Sequence, residues 1–280
     1  MNSRTGPIQP GAAQNCAIKA ARAAGELMRR HLRVPKKINS STQHDIKLEL
    51  DVRCQKLIEK TLGASYPQIA LLGEEGVLGD IEAEHRWVVD PIDGTVNFTY
   101  GIPHACVSIA LQSRPLSSAR PRAARPRESH PDDAYQTQVG VVYDPFCDEL
   151  WTAIRGRPAY LNRKIIRVSN RTRLDETIVT VGFAKHKSTL NRMIPVLNLL
   201  VHRVRKIRIM GSAALAMTYV ASGRMDAYLE SGIRLWDVAA GGLIVECAGG
   251  EFWREPAPGD HTFRVTASNG RLRRKLPTLI

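Results

Sequence analysis

No stretch of this sequence approaches the roughly 18 consecutive apolar residues that a membrane-spanning helix needs. Residues 1–16 also lack the apolar centre of a secretory signal peptide. Cysteine is scarce, and the five cysteines form no C-x-x-C pair, which argues against both a disulfide framework and a structural zinc site. We therefore expect a soluble, cytoplasmic protein without a membrane partner.

Acidic side chains are in the minority, with 27 aspartates and glutamates against 40 lysines and arginines and a formal net charge of +13. A basic chain attracts polyanions, so nucleic acid has to be considered as a partner. Part of the excess lies in residues 113–131, where prolines and serines accompany Arg114, Arg120, Arg122, Arg125 and Arg127. This composition predicts a solvated insertion loop, with an RNA- or partner-binding arm as the alternative.

Helices are predicted where apolar residues recur at spacings of three and four. In the first half they cover residues 12–32 and 50–62, the second with Val52, Leu57, Ile58 and Leu62 facing inward and Gly63 ending it. Short β-rich runs predict strands at residues 69–72, 87–89, 105–111, 138–143 and 149–153. The second half alternates strands at 178–183, 206–210 and 226–231 with helices at 190–203, 212–222 and 237–248.

This alternation predicts a layered α/β fold. We expect a flexible tail at residues 1–11 and one domain at 12–272. Within that domain, two tightly packed subdomains, 12–170 and 171–272, share one cleft.

The segment from Trp87 to Phe98 carries the clearest chemical signal, because an apolar strand ends in Asp90 and Asp93, followed at once by Gly94 and Thr95. Two carboxylates this close repel each other unless a proton or a cation lies between them, and oxygen donors suit Mg²⁺, Ca²⁺ or Mn²⁺. The backbone amides after Asp93 are suited to bind phosphate. Alternatively, D-P-x-D-G is a turn in which both aspartates only cap their own backbone.

Two further acidic positions favour the metal interpretation. Glu74 and Glu75 follow a predicted strand, and Asp237 stands at the start of a predicted helix. Each has an alternative reading, as exposed loop charges or as an ordinary helix N-cap. Acids at three element ends favour one shared cluster.

The segments G-E-E at 73–75, D-P-I-D-G-T-V-N-F at 90–98 and W-D-V-A-A-G with its continuation to A-G-G at 236–250 resemble, in this order and at these separations, the signatures of the inositol monophosphatase family. The resemblance covers residues 15–272 and is broken mainly by residues 113–131. It implies a layered αβαβα sandwich of the sugar-phosphatase type, a homodimer, and inhibition by Li⁺.

The resemblance also implies the site. More than one Mg²⁺ would be bound by Glu74, Asp90, the carbonyl of Ile92, Asp93 and Asp237. One ion would lower the pKa of a water, and others would clamp the phosphate and neutralise the leaving alkoxide. Glu74 and Thr95 would orient that water, and Asp51 would support Thr95 and a weaker metal site. By pattern alone, Asp51 could equally be a charge at a helix N-terminus.

For the substrate, the resemblance implies hydrolysis of a phosphomonoester, myo-inositol monophosphate above all. The phosphate would lie on the backbone of Gly94 and Thr95, beside Asp93 and Asp237, and the polyol hydroxyls would be contacted by Gly211, Ser212, Ala213 and Glu230. Two alternatives stay open from the residues themselves, because Ser212 also reads as a helix N-cap and Glu230 as a surface glutamate at a strand end.

Other readings change the substrate or the function class. Relatives with similar metal motifs act on 3′-phosphoadenosine phosphate, fructose 1,6-bisphosphate, histidinol phosphate or NADP. A nucleic-acid- or protein-binding module that uses the arginine-rich loop is the rival from another class. The complete set of acids argues against a binding-only role.

Overall fold

The fold is described from a computed structural model, over residues 8–41, 46–114, 130–183, 187–272 and 274–278. The elements in chain order are α1 (Pro10–His31), β1 (Ile38–Ser41), β2 (Ile46–Leu48), α2 (Glu49–Gly63), β3 (Ala70–Gly73), β4 (Gly76–Leu78), β5 (His85–Asp93), α3 (Thr95–Thr99), β6 (Cys106–Ser113), β7 (Gln136–Asp144), β8 (Glu149–Ile154), β9 (Tyr160–Leu161), β10 (Lys164–Ile165), β11 (Ile178–Val181), α4 (Lys187–Val201), β12 (Lys206–Arg208), α5 (Ala213–Ala221), β13 (Ala227–Arg234), α6 (Leu235–Cys247), β14 (Glu251–Pro256) and β15 (Thr262–Ser268). Short 3-10 turns lie at Pro131–Ala134 and Leu174–Glu176.

The strands form two large sheets and one small ribbon. The eight-stranded sheet has the order β10-β9-β8-β7-β6-β5-β3-β4, and the five-stranded sheet has the order β12-β11-β13-β15-β14. Helices α1 and α2 pack on the outer face of the larger sheet, α5 and α6 lie between the two sheets, and α4 packs on the smaller one. The predicted αβαβα layering is confirmed.

Small side chains let α1 approach the larger sheet closely. Its buried face consists of Ala13, Ala17, Ala20, Ala21, Ala24, Gly25 and Met28. A Cβ placed on Gly25 would lie 2.6 Å from the ring of Tyr143 in β7, so any larger residue there would push the helix away.

Several predicted boundaries were wrong. Helix α1 includes the last two residues of the predicted tail. The predicted inner face of α2 was also partly wrong, because the helix buries Leu50 and Cys54, whereas Val52 and Leu57 are only half-buried. Helix α6 begins at Leu235, so Asp237 is its third residue, and its carboxylate accepts a 3.0 Å hydrogen bond from the amide of Arg234. Strands β14 and β15 were missed.

Most of the predicted insertion loop lies outside the described residues, since residues 115–129 are not among them. The flanking residues are well anchored. Arg114 lies 4.7 Å from the centre of the Tyr135 ring, and the His130 ring lies 5.0 Å from that of Phe263. Within the described part of the chain, no helix is long and apolar enough to cross a membrane.

Candidate active site

The end of β5 is shaped by the D-P-I-D-G-T sequence itself. Asp90 accepts a 2.9 Å hydrogen bond from the amide of Ile92, and the hydroxyl of Thr95 donates one of 2.9 Å to the carbonyl of Ile92. Gly94 has φ +96°, where a Cβ would lie 3.0 Å from the carbonyl of His104. Only glycine fits this left-handed turn without strain.

Acids from different layers meet beside this turn. Carboxylate oxygens of Asp90 and Asp93, at the end of β5, and of Asp237, on α6, all lie within 4.8 Å of one another. Glu74, which follows β3, lies close enough to Asp90 for its charge to raise the pKa of that residue. The structure therefore brings the four predicted acids together.

Burial and mutual repulsion raise the pKa of these acids. Burial, followed by the charge of Glu74, raises the pKa of Asp90 well above its usual value, and burial with the charge of Asp237 does the same for Glu74. For Asp237, burial and the charge of Asp93 raise the pKa to about 7. Without a cation, the cluster therefore retains protons that an exposed carboxylate would have released.

The donor set fits a hard divalent cation. The cluster offers carboxylate oxygens and the nearby carbonyl of Ile92, which are the ligands that Mg²⁺ prefers. Among the described residues that line the surrounding cavity, none is lysine, arginine or histidine. The charge of Arg234, outside that lining, lowers the pKa of Asp237 only in part, so the acids still lack positive charge. A bound cation would supply that charge and remove the repulsion that raises the pKa values.

Asp93 has a second set of partners, at the start of α5. Its carboxylate accepts hydrogen bonds from the hydroxyl of Ser212 at 2.5 Å, the amide of Ala213 at 3.2 Å and the amide of Ala214 at 2.7 Å. Ser212 also accepts a 3.4 Å hydrogen bond from the amide of Leu215, so its predicted role as a helix N-cap is confirmed. The Ser212 hydroxyl and the two backbone amides thus all stabilise the carboxylate of Asp93.

The acids form one wall of a cavity of about 340 Å³. Every predicted site residue except Asp51 lines it, including Gly94, Thr95, Gly211, Ser212, Ala213 and Glu230. Glu230 lies in the middle of β13 and is buried, which overturns the alternative of a surface glutamate. Burial raises its pKa to about 8, although a hydrogen bond from Tyr228 lowers it in part.

Asp51 lies behind the cavity rather than in its wall. It is buried near the start of α2, where its carboxylate accepts a 2.7 Å hydrogen bond from the amide of Leu48. The alternative of a helix N-terminal charge therefore describes its position. It is nevertheless close enough to Glu74 for its negative charge to raise the pKa of that residue.

Two amide side chains that the sequence analysis missed, the buried Gln55 and the half-buried Asn97, hold the loops of the site. Gln55 accepts a 2.9 Å hydrogen bond from the amide of Glu75 and donates one of 3.2 Å to the carbonyl of Gly76, which fixes the turn that carries Glu74. Asn97 donates to the carbonyls of His104 and Met210, both at 2.9 Å, and so joins the loop after β5 to the loop before α5. The position of Asn97 in the D-G-T-V-N-F segment was the one available signal for its role.

The chain is similar to known proteins over most of its length. A model of the inositol monophosphatase family matches residues 12–116 and 133–268. The Nus factor SuhB of Xylella fastidiosa (strain Temecula1 / ATCC 700964) is 40% identical over 243 residues, which cover 85% of this chain and 80% of that protein. Inositol monophosphatase 1 of Solanum lycopersicum is 35% identical over 267 residues, with 92% and 90% covered.

A solved structure shows the same architecture. The extragenic suppressor protein suhB from Bartonella henselae superimposes with a TM-score of 0.81 at 32% sequence identity, covering 94% of this chain and 96% of that one.

Proposed function

This chain belongs to the inositol monophosphatase family, and from that premise we propose that it is a Mg²⁺-dependent phosphatase that hydrolyses myo-inositol monophosphate to inositol and phosphate. The observation that carries the proposal is the meeting of Glu74, Asp90, Asp93 and Asp237 in one cavity whose described lining residues include no lysine, arginine or histidine. Those four acids and the carbonyl of Ile92 would hold the metal.

Other residues of the chain would bind the phosphate and orient the attacking water. The backbone of Gly94 and Thr95 binds the phosphate beside Asp93 and Asp237, and Glu74 with the Thr95 hydroxyl orients the attacking water. The oxygen of water adds to phosphorus, the bond from phosphorus to the alcohol oxygen breaks, and the proton that the water loses ends on that oxygen. Inorganic phosphate and the free alcohol then leave. When bound, Mg²⁺ supplies positive charge that activates water and stabilises the leaving oxygen. Asp51 acts from behind the cavity, through its charge near Glu74.

The residues that line the cavity also indicate which alcohol the substrate carries. A buried carboxylate, Glu230, lies on its floor, and the described lining residues include no cation that would hold a second phosphate. This combination favours a neutral polyol with one phosphate over fructose 1,6-bisphosphate, 3′-phosphoadenosine phosphate or NADP. The carboxyl group of Glu230 can exchange hydrogen bonds with the hydroxyl groups of a polyol.

Phosphate release from a panel of phosphomonoesters tests the proposal. The panel contains myo-inositol 1-phosphate, the three disfavoured substrates, histidinol phosphate and p-nitrophenyl phosphate, each with Mg²⁺ and with EDTA. We expect the highest kcat/KM for inositol 1-phosphate and no turnover in EDTA. A higher value for a bisphosphate would refute the proposed substrate while leaving the phosphatase activity intact.

Lithium inhibition belongs to the same proposal, since family resemblance implies a Mg²⁺ site that Li⁺ can enter. The test compares rates in LiCl and NaCl at equal ionic strength. Equal rates would count against the inositol branch of the family.

We also propose that the protein forms a homodimer. The family resemblance implies it, and the exposed apolar side chains of Tyr100 and Ile102, 74% and 49% accessible in this chain, offer surface for such a contact. Light scattering of the purified protein measures the mass, and a monomer at micromolar concentration would refute this part.

Nucleic-acid binding is a second candidate function. It is favoured by the net charge of +13 and is compatible with phosphatase activity. Fluorescence anisotropy with labelled RNA at several salt concentrations would detect it, and unchanged anisotropy at low salt would exclude it.

A further inference from the structure

Four residues of two neighbouring strands form the floor of the active-site cavity. Strands β11 and β13 run parallel, with Thr180 opposite Tyr228 and Val181 opposite Leu229. The amide of Gly182 continues this pairing with a 3.0 Å hydrogen bond to the carbonyl of Leu229. Because successive side chains in a strand point to opposite faces, Val181 and Leu229 pack with α4 in the core, although Val181 also borders the cavity. Thr180, Gly182, Tyr228 and Glu230 line the cavity.

The absence of a side chain at Gly182 leaves room for the carboxyl group of Glu230. A Cβ on Gly182 would lie 1.6 Å from Oε2 of Glu230 and 2.3 Å from its carboxyl carbon. The carboxylate therefore lies directly across the glycine, in the space that any other residue would fill. No side chain larger than hydrogen at position 182 is compatible with this position of Glu230.

Tyr228 fixes the same carboxylate from the other side. Its hydroxyl, on a residue that is fully buried, donates a hydrogen bond to Oε2 of Glu230. Burial and the charge of Glu230 raise the pKa of the Tyr228 hydroxyl well above its usual value, so it remains a donor at neutral pH. The other carboxylate oxygen, Oε1, is not needed for this bond and stays available to a ligand.

The pair of Tyr228 and Glu230 lies near the acid cluster without being bonded to it. Burial raises the pKa of Glu230, and the charges of Asp237 and Asp93 raise it further. Among the described residues, no hydrogen bond joins Tyr228 or Glu230 to Asp90, Asp93 or Asp237. A change in the pair that leaves the hydrogen bonds of the metal acids in place should therefore alter substrate preference more than metal binding.

We propose that Tyr228 and Gly182 are positioning residues that hold the Glu230 carboxylate at the cavity floor, and that they thereby set the preference for an alcohol that carries several hydroxyl groups. This inference rests on the proposed function. It adds two residues to those that determine substrate recognition. Tyr228 donates a hydrogen bond to Glu230, and Gly182 leaves room for the Glu230 carboxyl group.

The test uses the full chain in saturating Mg²⁺ with two substrates, myo-inositol 1-phosphate and p-nitrophenyl phosphate. The readout is the ratio of their kcat/KM values, because loss of folded protein lowers both alike and leaves the ratio unchanged. Tyr228→Phe removes only the hydroxyl and should lower the ratio by up to about tenfold, as expected for the loss of one hydrogen bond. Gly182→Ala should lower it by a similar factor, because the methyl group displaces the carboxylate.

Matched controls exist for both variants. Tyr135→Phe removes a hydroxyl that donates to the carbonyls of Ile81 and Ala83, outside the cavity. Gly140→Ala inserts a methyl group 2.8 Å from the carbonyl of Ala240, also outside it. Both controls should lower stability and leave the ratio of kcat/KM values within about twofold.

A double-mutant cycle identifies Glu230 as the residue through which Tyr228 acts. In a Glu230→Ala background, Tyr228→Phe should have no further effect on the ratio. The inference is overturned if Tyr228→Phe and Gly182→Ala leave the ratio unchanged, or if Tyr228→Phe and Glu230→Ala act additively. A wild-type protein with no preference for inositol 1-phosphate would instead refute the proposed substrate itself, and this role of the pair with it.

Discussion

The backbone amide of Ala214 donates a 2.7 Å hydrogen bond to the carboxylate of Asp93. These residues lie 121 positions apart and belong to different layers, Asp93 to the end of β5 and Ala214 to the first turn of α5. One acid of the candidate metal site therefore also caps a helix that packs between the two sheets. Metal binding and the docking of α5 depend on the same side chain.

Replacing Asp93 should damage activity without destabilising the metal-free protein. Asp93→Asn should lower Mg²⁺-dependent turnover by more than about a hundredfold, since even changes to residues behind metal ligands cost up to that factor. In EDTA it should not lower the free energy of unfolding, because burial raises the pKa of Asp93 and a neutral amide relieves the repulsion within the acid cluster. Urea unfolding and phosphate release measure the two effects, with the exposed Asp80→Asn as the control. Wild-type turnover by Asp93→Asn would contradict the assignment.

Added Mg²⁺ should stabilise the protein more at alkaline than at acidic pH. A carboxyl whose pKa is raised on folding is buried most easily when protonated, so the metal-free protein loses stability as pH rises from the ordinary value of 3.8 for Asp237 towards its folded value of about 7. Glu74 and Asp90 act in the same direction. The difference in Tm between Mg²⁺ and EDTA should therefore be larger at pH 8 than at pH 5. An equal difference at both values would be the contrary result.

Asp132 should be a major source of stability with the opposite pH dependence. It is buried and accepts hydrogen bonds from Arg86 at 2.6 Å and His261 at 2.8 Å. Although burial alone would raise its pKa, the His261 hydrogen bond and the Arg86 charge hold it at about 2. The stabilisation is thus complete above the ordinary value of 3.8 and is lost as pH falls from there towards about 2.

Asp132→Asn should accordingly lower the free energy of unfolding at pH 7 by about 3 kcal/mol, since it leaves the buried Arg86 without its counter-charge. The difference in the free energy of unfolding between the wild type and Asp132→Asn should become smaller between pH 4 and pH 3. Urea denaturation at pH 7, 4 and 3 provides the measurement. A difference that stays constant over this pH range would show that the charge of Asp132 does not contribute to the free energy of unfolding.

The insertion should be dispensable for catalysis once its anchors are kept. We expect that replacing residues 116–129 with a short Gly-Ser linker preserves Mg²⁺-dependent turnover, because loop length affects closure entropy only logarithmically. Arg114 and His130 stay in this variant, since they contact Tyr135 and Phe263. A longer deletion that removes both anchors should be less stable and serves as the comparison. A fall in kcat of more than about tenfold, equivalent to about 1.4 kcal/mol, in the shorter deletion would give the loop a role in turnover.

The features that could be predicted best from the sequence are those that a short segment determines by itself. The paired carboxylates after a buried strand identified Asp90 and Asp93, and the apolar spacing identified α1. Strand β14 was missed because its Glu251–Pro256 segment mixes charged and aromatic residues without regular alternation. The hydrogen bond between Asp93 and Ala214, the support of Glu75 by Gln55, and the position of Glu230 across Gly182 depend on contacts between distant segments, and no local pattern encodes them.

The most direct test of the central claim is phosphate release from myo-inositol 1-phosphate by the wild type and by Asp90→Asn, each titrated with Mg²⁺ from an EDTA-treated state. Asp90 is the most suitable position because it is buried next to the other acids. Within the described part of the chain, its one hydrogen bond outside the cluster is the local one from the amide of Ile92. We predict saturable Mg²⁺-dependent turnover by the wild type, and a loss of more than about a hundredfold in the folded variant at every Mg²⁺ concentration. Equal turnover by both proteins, or wild-type turnover that persists in EDTA, would contradict the account.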